Sequence, residues 1–249
     1  EVCYLLYKLI EKQNYSKDAI KLEHQFAYWI NKLERGGVDF DETSAQKLHS
    51  ILVKRKLELE EKLSLVFPAW RKSIGFKTYK RDNKKRGIKA GVPKELFKTE
   101  IFNPNSRDQI ADRLKTLGWK PTAFTATGKP EVNDKVLKEL KYPEAKLISE
   151  HLLIQKRLGQ LSDGEQAYLK LNNKGKIYGK INTNGAVTGR CTHFSPNLAQ
   201  CASKATEYGT EMRRLFIAPS SMAMLGIDFS GLELRVLSNY LHTFDNGDF

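Results

Sequence analysis

Apolar positions recur at helical steps across residues 18–34, where Ile20, Glu23, Ala27, Ile30 and Leu33 share one stripe and Gly36-Gly37 supplies the stop. A longer stripe follows through Ala45, Leu48, Leu52, Arg55, Leu59 and Leu63, with Asp41 or Thr43 as its cap and Pro68 beyond its end. A partner stripe over residues 143–161 carries Leu147, Ile148, Ile154, Leu158 and Leu161. Two long helices joined by an excursion predict an antiparallel helical arm. Within the excursion, Asn105 or Ser106 caps a short helix with Asp108 in its first turn, Gly118-Trp119 ends it, and residues 122–130 form a polar loop.

After Gly164 the pattern changes. Lys176-Ile177-Tyr178-Gly179-Lys180-Ile181 alternates as a strand does, and residues 182–185 read as a turn. Near the C-terminus, the apolar run Met222-Ala223-Met224-Leu225-Gly226-Ile227 has strand length and delivers Asp228 to its end. A Ser230-Gly231 turn follows, then Leu232, Arg235, Val236 and Asn239 at helical steps. The expected class is α+β: a helical arm, then the start of an antiparallel sheet backed by helices.

Composition narrows the partners more than the fold. The chain has 249 residues, a formal net charge of +13 and a pI near 9.5, which suits a phosphate-rich partner. Residues 67–99 are the densest part: Arg71, Lys72, Lys77, Lys80, Arg81, Lys84, Lys85, Arg86, Lys89, Lys94 and Lys98 stand against Asp82 and Glu95 alone. Gly75, Gly87, Gly91 and Pro93 are expected to interrupt any regular element there. Cys3, Cys191 and Cys201 show no Cys-x-x-Cys spacing, so neither a disulfide framework nor a thiolate zinc site is expected. The five histidines lack metal-ligand spacing. No long apolar run or basic-then-apolar leader is visible, and a soluble protein of the cytoplasm is expected.

Asp228-Phe229-Ser230-Gly231-Leu232-Glu233-Leu234-Arg235 resembles motif A of the family A DNA polymerases. Thr188-Gly189-Arg190 with Asn197-Leu198-Ala199-Gln200 resembles the signature that precedes motif A in that family. Asn184-Gly185-Ala186-Val187 and Phe244-Asp245-Asn246-Gly247 look most like the replicative polymerases of short-tailed bacteriophages. The segment Asn103-Pro104-Asn105-Ser106 through Gln109 resembles the family element at the thumb tip.

The resemblance implies template-dependent addition of deoxynucleoside triphosphates to a primer 3′ end by two-metal nucleotidyl transfer. Asp228 and the Phe229 carbonyl would hold Mg2+, and Glu233 would sit against the sugar and exclude a 2′-hydroxyl. Ser230, Gly231 and Leu232 would line the nucleotide site. Arg190, Asn197 and Gln200 would read the duplex, and Ser106, Arg107, Lys84, Lys85 and Arg86 would touch primer-template backbone. Arg213, Arg214 and Arg235 fit either phosphate contacts or supports for Asp228 and Glu233. The basic segment is shorter than the phage insertion that recruits a thioredoxin, so no such processivity factor is implied.

The implied domains are a joining segment at 1–40, a thumb at 41–165 with its basic insertion at 67–99, and the first part of the palm at 166–249. The chain ends 21 residues after Asp228, before any fingers helix or second catalytic aspartate. It is therefore expected to be a truncated product, one half of a split polymerase or a piece of a longer chain, and inactive alone. Two other readings stay open at this point. One is a non-catalytic duplex-DNA-binding module. The other is a single-subunit RNA polymerase, against which Glu233 and the Thr-Gly-Arg block argue.

Overall fold

The computed structural model describes residues 1–247, so the last two residues of the expected palm segment, 248 and 249, lie outside the described residues. In chain order the elements are helix α1 (Val2–Lys12), helix α2 (Lys17–Gly36), strand β1 (Val38–Phe40), helix α3 (Glu42–Val66) and the strands β2 (Trp70–Thr78) and β3 (Pro93–Glu100). Helices α4 (Arg107–Thr116), α5 (Asp134–Glu139), α6 (Pro143–Leu158) and α7 (Tyr168–Leu171) follow. Strands β4 (Lys176–Ile177), β5 (Lys180–Asn182) and β6 (Thr192–Phe194), helix α8 (Gly209–Arg214), strand β7 (Phe216–Ile217) and helix α9 (Leu232–Asp245) complete the order. The class is α+β, as expected.

Helices α3 and α6 form the spine. Asp41 caps α3, its carboxylate accepting from both the amide and the hydroxyl of Ser44. The predicted stripe is the buried face: Ala45, Leu48, Leu52, Leu59 and Leu63 are all buried. Arg55, in the same stripe, donates to both carboxylate oxygens of Glu150 on α6, at 2.6 and 3.1 Å. Leu161, expected at the end of α6, is buried one turn beyond it, in a π-helical turn over Gly159–Asp163.

Two apolar cores share this spine. One gathers Leu52, Leu59, Ile154, Leu158, Tyr168, Ile177, Met212 and Leu215, and it ties the arm to a three-stranded antiparallel sheet of order β4-β1-β7. The other gathers Leu63, Phe67, Phe102, Ile110, Leu114, Trp119, Leu137 and Ile148 around α4 and α5. Strand β1 precedes the arm in sequence, yet both its partners lie after it, at 176–177 and 216–217.

Three expectations need correction. The basic segment is regular: β2 and β3 pair as an antiparallel hairpin, and Gly75 sits where the register shifts between Ser73 and Phe76 rather than at a break. The hairpin base is clamped to α4, where the Arg113 guanidinium lies 3.6 Å from the Trp70 ring centroid and donates to the Pro68 carbonyl. The 176–181 run is two strands in separate sheets, because the chain turns at Tyr178-Gly179. The run 222–227 is not a strand at all, and its residues are exposed. A strand needs a partner for its amides and carbonyls, and this run pairs with neither edge strand, β4 or β7, of the three-stranded sheet.

Helix α1, for which no element is expected, and α2 bury no residue fully; Leu22, Tyr28, Trp29 and Leu33 stay exposed. Among the described residues no helix is long and apolar enough to cross a membrane.

His151 on α6 is fully buried, 3.1 Å from Glu60 on α3. Burial holds its pKa below the ordinary 6.5, with Glu60 opposing and Lys56 reinforcing that shift. The unfolded chain therefore takes up this proton first on acidification, so the contribution is intact above about pH 6.5 and is lost as pH falls toward the folded value. Thermal melts between pH 7.5 and 5 (about the span where a histidine titrates) should show Tm falling in the parent and a flatter profile in His151→Leu.

Candidate nucleotidyl-transfer site

The hairpin β5–β6 presents residues 183–191 as a loop, which closes on itself where the Ala186 amide donates to the Arg190 carbonyl and the Gly189 amide to the Ala186 carbonyl. Two glycines permit this shape. Gly189 has φ +75°, and a methyl at Gly185 would collide with the Thr192 side chain. The loop carries Thr188-Gly189-Arg190 outward, with Val187 fully exposed at its tip.

Helix α9 begins after Gly231, whose φ of +61° makes the turn out of the 222–230 segment. The Arg235 guanidinium donates to the Ser230 carbonyl at 2.8 Å and so fixes that turn from the helix side. Glu233 lies in the first helical turn, where negative charge is favoured. Its carboxylate meets Arg190 Nη2 at 3.5 Å, with both side chains largely exposed. The two blocks of the sequence signature, 43 positions apart, therefore touch.

The other predicted residues are placed less closely. Asp228, Phe229, Ser230 and Leu232 are exposed on the irregular segment and the helix start, and Asp228 does not sit on a sheet edge as expected. Asn197 precedes the short 3-10 turn Leu198–Gln200 and Gln200 ends it; the Asn197 side-chain oxygen is buried without a partner among the described residues, and the Gln200 carbonyl accepts from Gln160. At the far end of the arm, Ser106 spends its hydroxyl oxygen capping α4, and Arg107 donates to the Val132 carbonyl at 2.8 Å. Lys84, Lys85 and Arg86 form one exposed 3-10 turn at the hairpin tip.

Arg213 donates from Nε to the Ala202 carbonyl at 2.7 Å rather than to Asp228 or Glu233. Arg214 lines a cavity of about 670 Å³ with Lys204, Thr210, Arg213, Met224 and Gly226, so it faces the segment leading to Asp228. Sequence reasoning missed Arg157, which is buried and donates to Thr206 and to the Glu207 carbonyl, holding the loop after Gln200. Its signal was faint, a lone arginine one turn from the end of an otherwise apolar stripe. Burial depresses its pKa and raises that of the neighbouring Tyr168 hydroxyl.

Among the described residues no group of three His, Cys, Asp or Glu side chains could hold a metal. The donors that are available, a carboxylate and the adjacent backbone carbonyl, are hard oxygens. They suit Mg2+, which keeps several waters and takes further oxygens from substrate phosphates.

Residues 82–243 match the family model described as DNA polymerase family A. The DNA-directed DNA polymerase of Escherichia phage T7 is 35% identical over 94% of this chain, and that of Enterobacteria phage T3 matches equally; the chain spans 41% of each. The thermostable DNA polymerase I of Thermus aquaticus is 32% identical over 65% of the chain and 22% of its own length. A solved structure, the POL domain of Pol1 from M. smegmatis in complex with DNA primer-template and dNTP, aligns at a TM-score of 0.53 and 17% identity. That alignment covers 78% of this chain and 29% of that one, and it shows a shared fold.

The loop geometry separates two substitutions. Gly185→Ala should cost about 1–3 kcal/mol through the clash with Thr192. Arg190→Ala, which removes only an exposed pair, should leave the Tm of the parent unchanged. Thermal melts of both variants check the contrast.

Proposed function

The chain belongs to the family A DNA polymerases, and from that premise we propose that it grips primer-template DNA and holds one carboxylate side of a nucleotidyl-transfer site. The observation that carries this reading is the contact between Arg190 and Glu233, which joins the loop of the Thr-Gly-Arg block to the helix that begins motif A. The implied reaction joins a primer 3′-hydroxyl oxygen to the α-phosphate of a dNTP, breaking the α–β phosphoanhydride bond and releasing pyrophosphate and the hydroxyl proton. Mg2+ bound by the Asp228 carboxylate and the Phe229 carbonyl would supply charge stabilisation at the attacking and leaving oxygens.

The chain's own residues do the rest by position. Glu233, at the start of a helix fixed by Gly231 and Arg235, would crowd a sugar 2′-hydroxyl. Ser230, Gly231 and Leu232 form the turn beside it. Arg190, Asn197 and Gln200 offer donors to the minor-groove acceptors present on every base pair, which tests pair shape without reading sequence. Arg190 can leave Glu233 for DNA at little cost, because an exposed ion pair is weak. Ser106, Arg107 and the Lys84–Arg86 turn would meet backbone phosphates, dividing the chain into a joining segment at 1–40, a thumb at 41–165 and palm at 166–249.

A second reading, a duplex-binding module without catalysis, draws on the exposed, sheetless setting of Asp228. The two readings part at one experiment. In the complete polymerase carrying this segment, Asp228→Ala should abolish primer extension and Glu233→Ala should raise ribonucleotide incorporation by at least about tenfold. Unchanged extension in the first, or unchanged sugar discrimination in the second, rejects the assigned role.

DNA binding makes a separate prediction. Replacing Lys84, Lys85 and Arg86 together by alanine should lower the slope of log affinity against log salt by about 2–3. Titrations of a labelled primer-template at several salt concentrations measure it.

A further inference from the structure

The hairpin β2–β3 has two unlike faces. Residues paired across an antiparallel ladder share a face, so the register places Arg71 and Thr99, Ser73 and Phe97, Phe76 and Glu95, and Thr78 and Pro93 together on one side. Every one of these residues is exposed, and the two rings stand 72% (Phe76) and 46% (Phe97) open to solvent. They are diagonal neighbours, about 7–8 Å apart for such positions. The Arg71 guanidinium lies 4.7 Å from the Phe97 ring centroid. Exposed aromatic rings on a free sheet face are costly unless something covers them.

The surroundings say what that is. Eleven bases against two acids make residues 67–99 the source of nine of the thirteen net positive charges. Lys80 and Arg81, just past the end of β2, are exposed on the way to the tip, where Lys84, Lys85 and Arg86 are exposed as well. An occupant must therefore be a polyanion that also presents flat apolar faces. Duplex DNA hides its base faces in the stack, and an acidic peptide has none. A single strand offers both, phosphates for the cations and a π-face on every base for the rings and the guanidinium.

We infer that the exposed face of this hairpin is a stacking platform for single-stranded DNA, with Phe76, Phe97 and Arg71 under the bases and the tip cations along the phosphates. This does not rest on the polymerase reading, since it needs no catalytic residue.

The test is fluorescence anisotropy of labelled oligothymidylate against the whole chain, with a duplex and a polyglutamate peptide as parallel probes. Phe76→Ala and Phe97→Ala should each weaken oligothymidylate binding about tenfold. Duplex binding should be unchanged in both. Phe97→Trp should retain binding and have its fluorescence quenched by the oligonucleotide. Because both rings are exposed, the alanine variants should keep the parent's circular dichroism and Tm. Equal oligothymidylate affinity in the alanine variants overturns the platform. So does polyglutamate binding that those variants lose in parallel, which would make the face an acidic-peptide site.

Discussion

The antiparallel contact of α3 with α6 is the constraint from which the other placements follow. Each helix enters both apolar cores: α3 contributes Leu52 and Leu59 to one and Leu63 to the other, while α6 contributes Ile154 and Leu158 to the first and Ala145 and Ile148 to the second. Sliding one helix against the other would open both cores at once. The bidentate Arg55–Glu150 pair marks the register with a fixed fork, and its half-buried setting gives direction more than stability. The sheet at one end and the hairpin with α4 at the other are therefore held by the same packing.

The helical arm was legible because burial there follows a period. Ala45, Leu48, Leu52, Leu59 and Leu63 mark one face of α3, and Asp41 marks its start through a carboxylate that satisfies free amides. The hairpin was not legible, for an equally physical reason. The more covered face of β2 and β3 carries Lys72, Lys94 and Leu96, so polarity fails to alternate even over residues 70–73 and 93–97, where burial does. Lys72 is held between Glu100 and Asp112, and Lys94 donates to the Arg86 carbonyl. Long basic side chains can lie along a covered face and still satisfy their heads, which erases the usual strand signal.

The candidate site was legible in its wording and not in its geometry. Asp228 and Glu233 were proposed from the order of residues in a motif. The strand expected before Asp228 was inferred from an apolar run that pairs with no strand among the described residues. A helix satisfies its own backbone, whereas a strand depends on another strand, so run length alone cannot establish one. The Arg190–Glu233 contact was equally invisible, since it depends on two loops that Gly185, Gly189 and Gly231 shape.

The charge distribution suits a polyanion held beside a carboxylate site. Cations crowded around Asp228 and Glu233 would pair with them and compete with any metal for the same oxygens. Here nine of the thirteen net charges stand on the hairpin, which packs against α4 in the core away from the sheet. Of the arginines nearer the site, Arg213 and Arg235 donate to backbone carbonyls rather than to Asp228 or Glu233. Among the described residues only Arg190 touches Glu233, in an exposed pair that is cheap to break. Attraction for phosphate is thus concentrated at one end of the arm, and the acids at the other end keep their oxygens available.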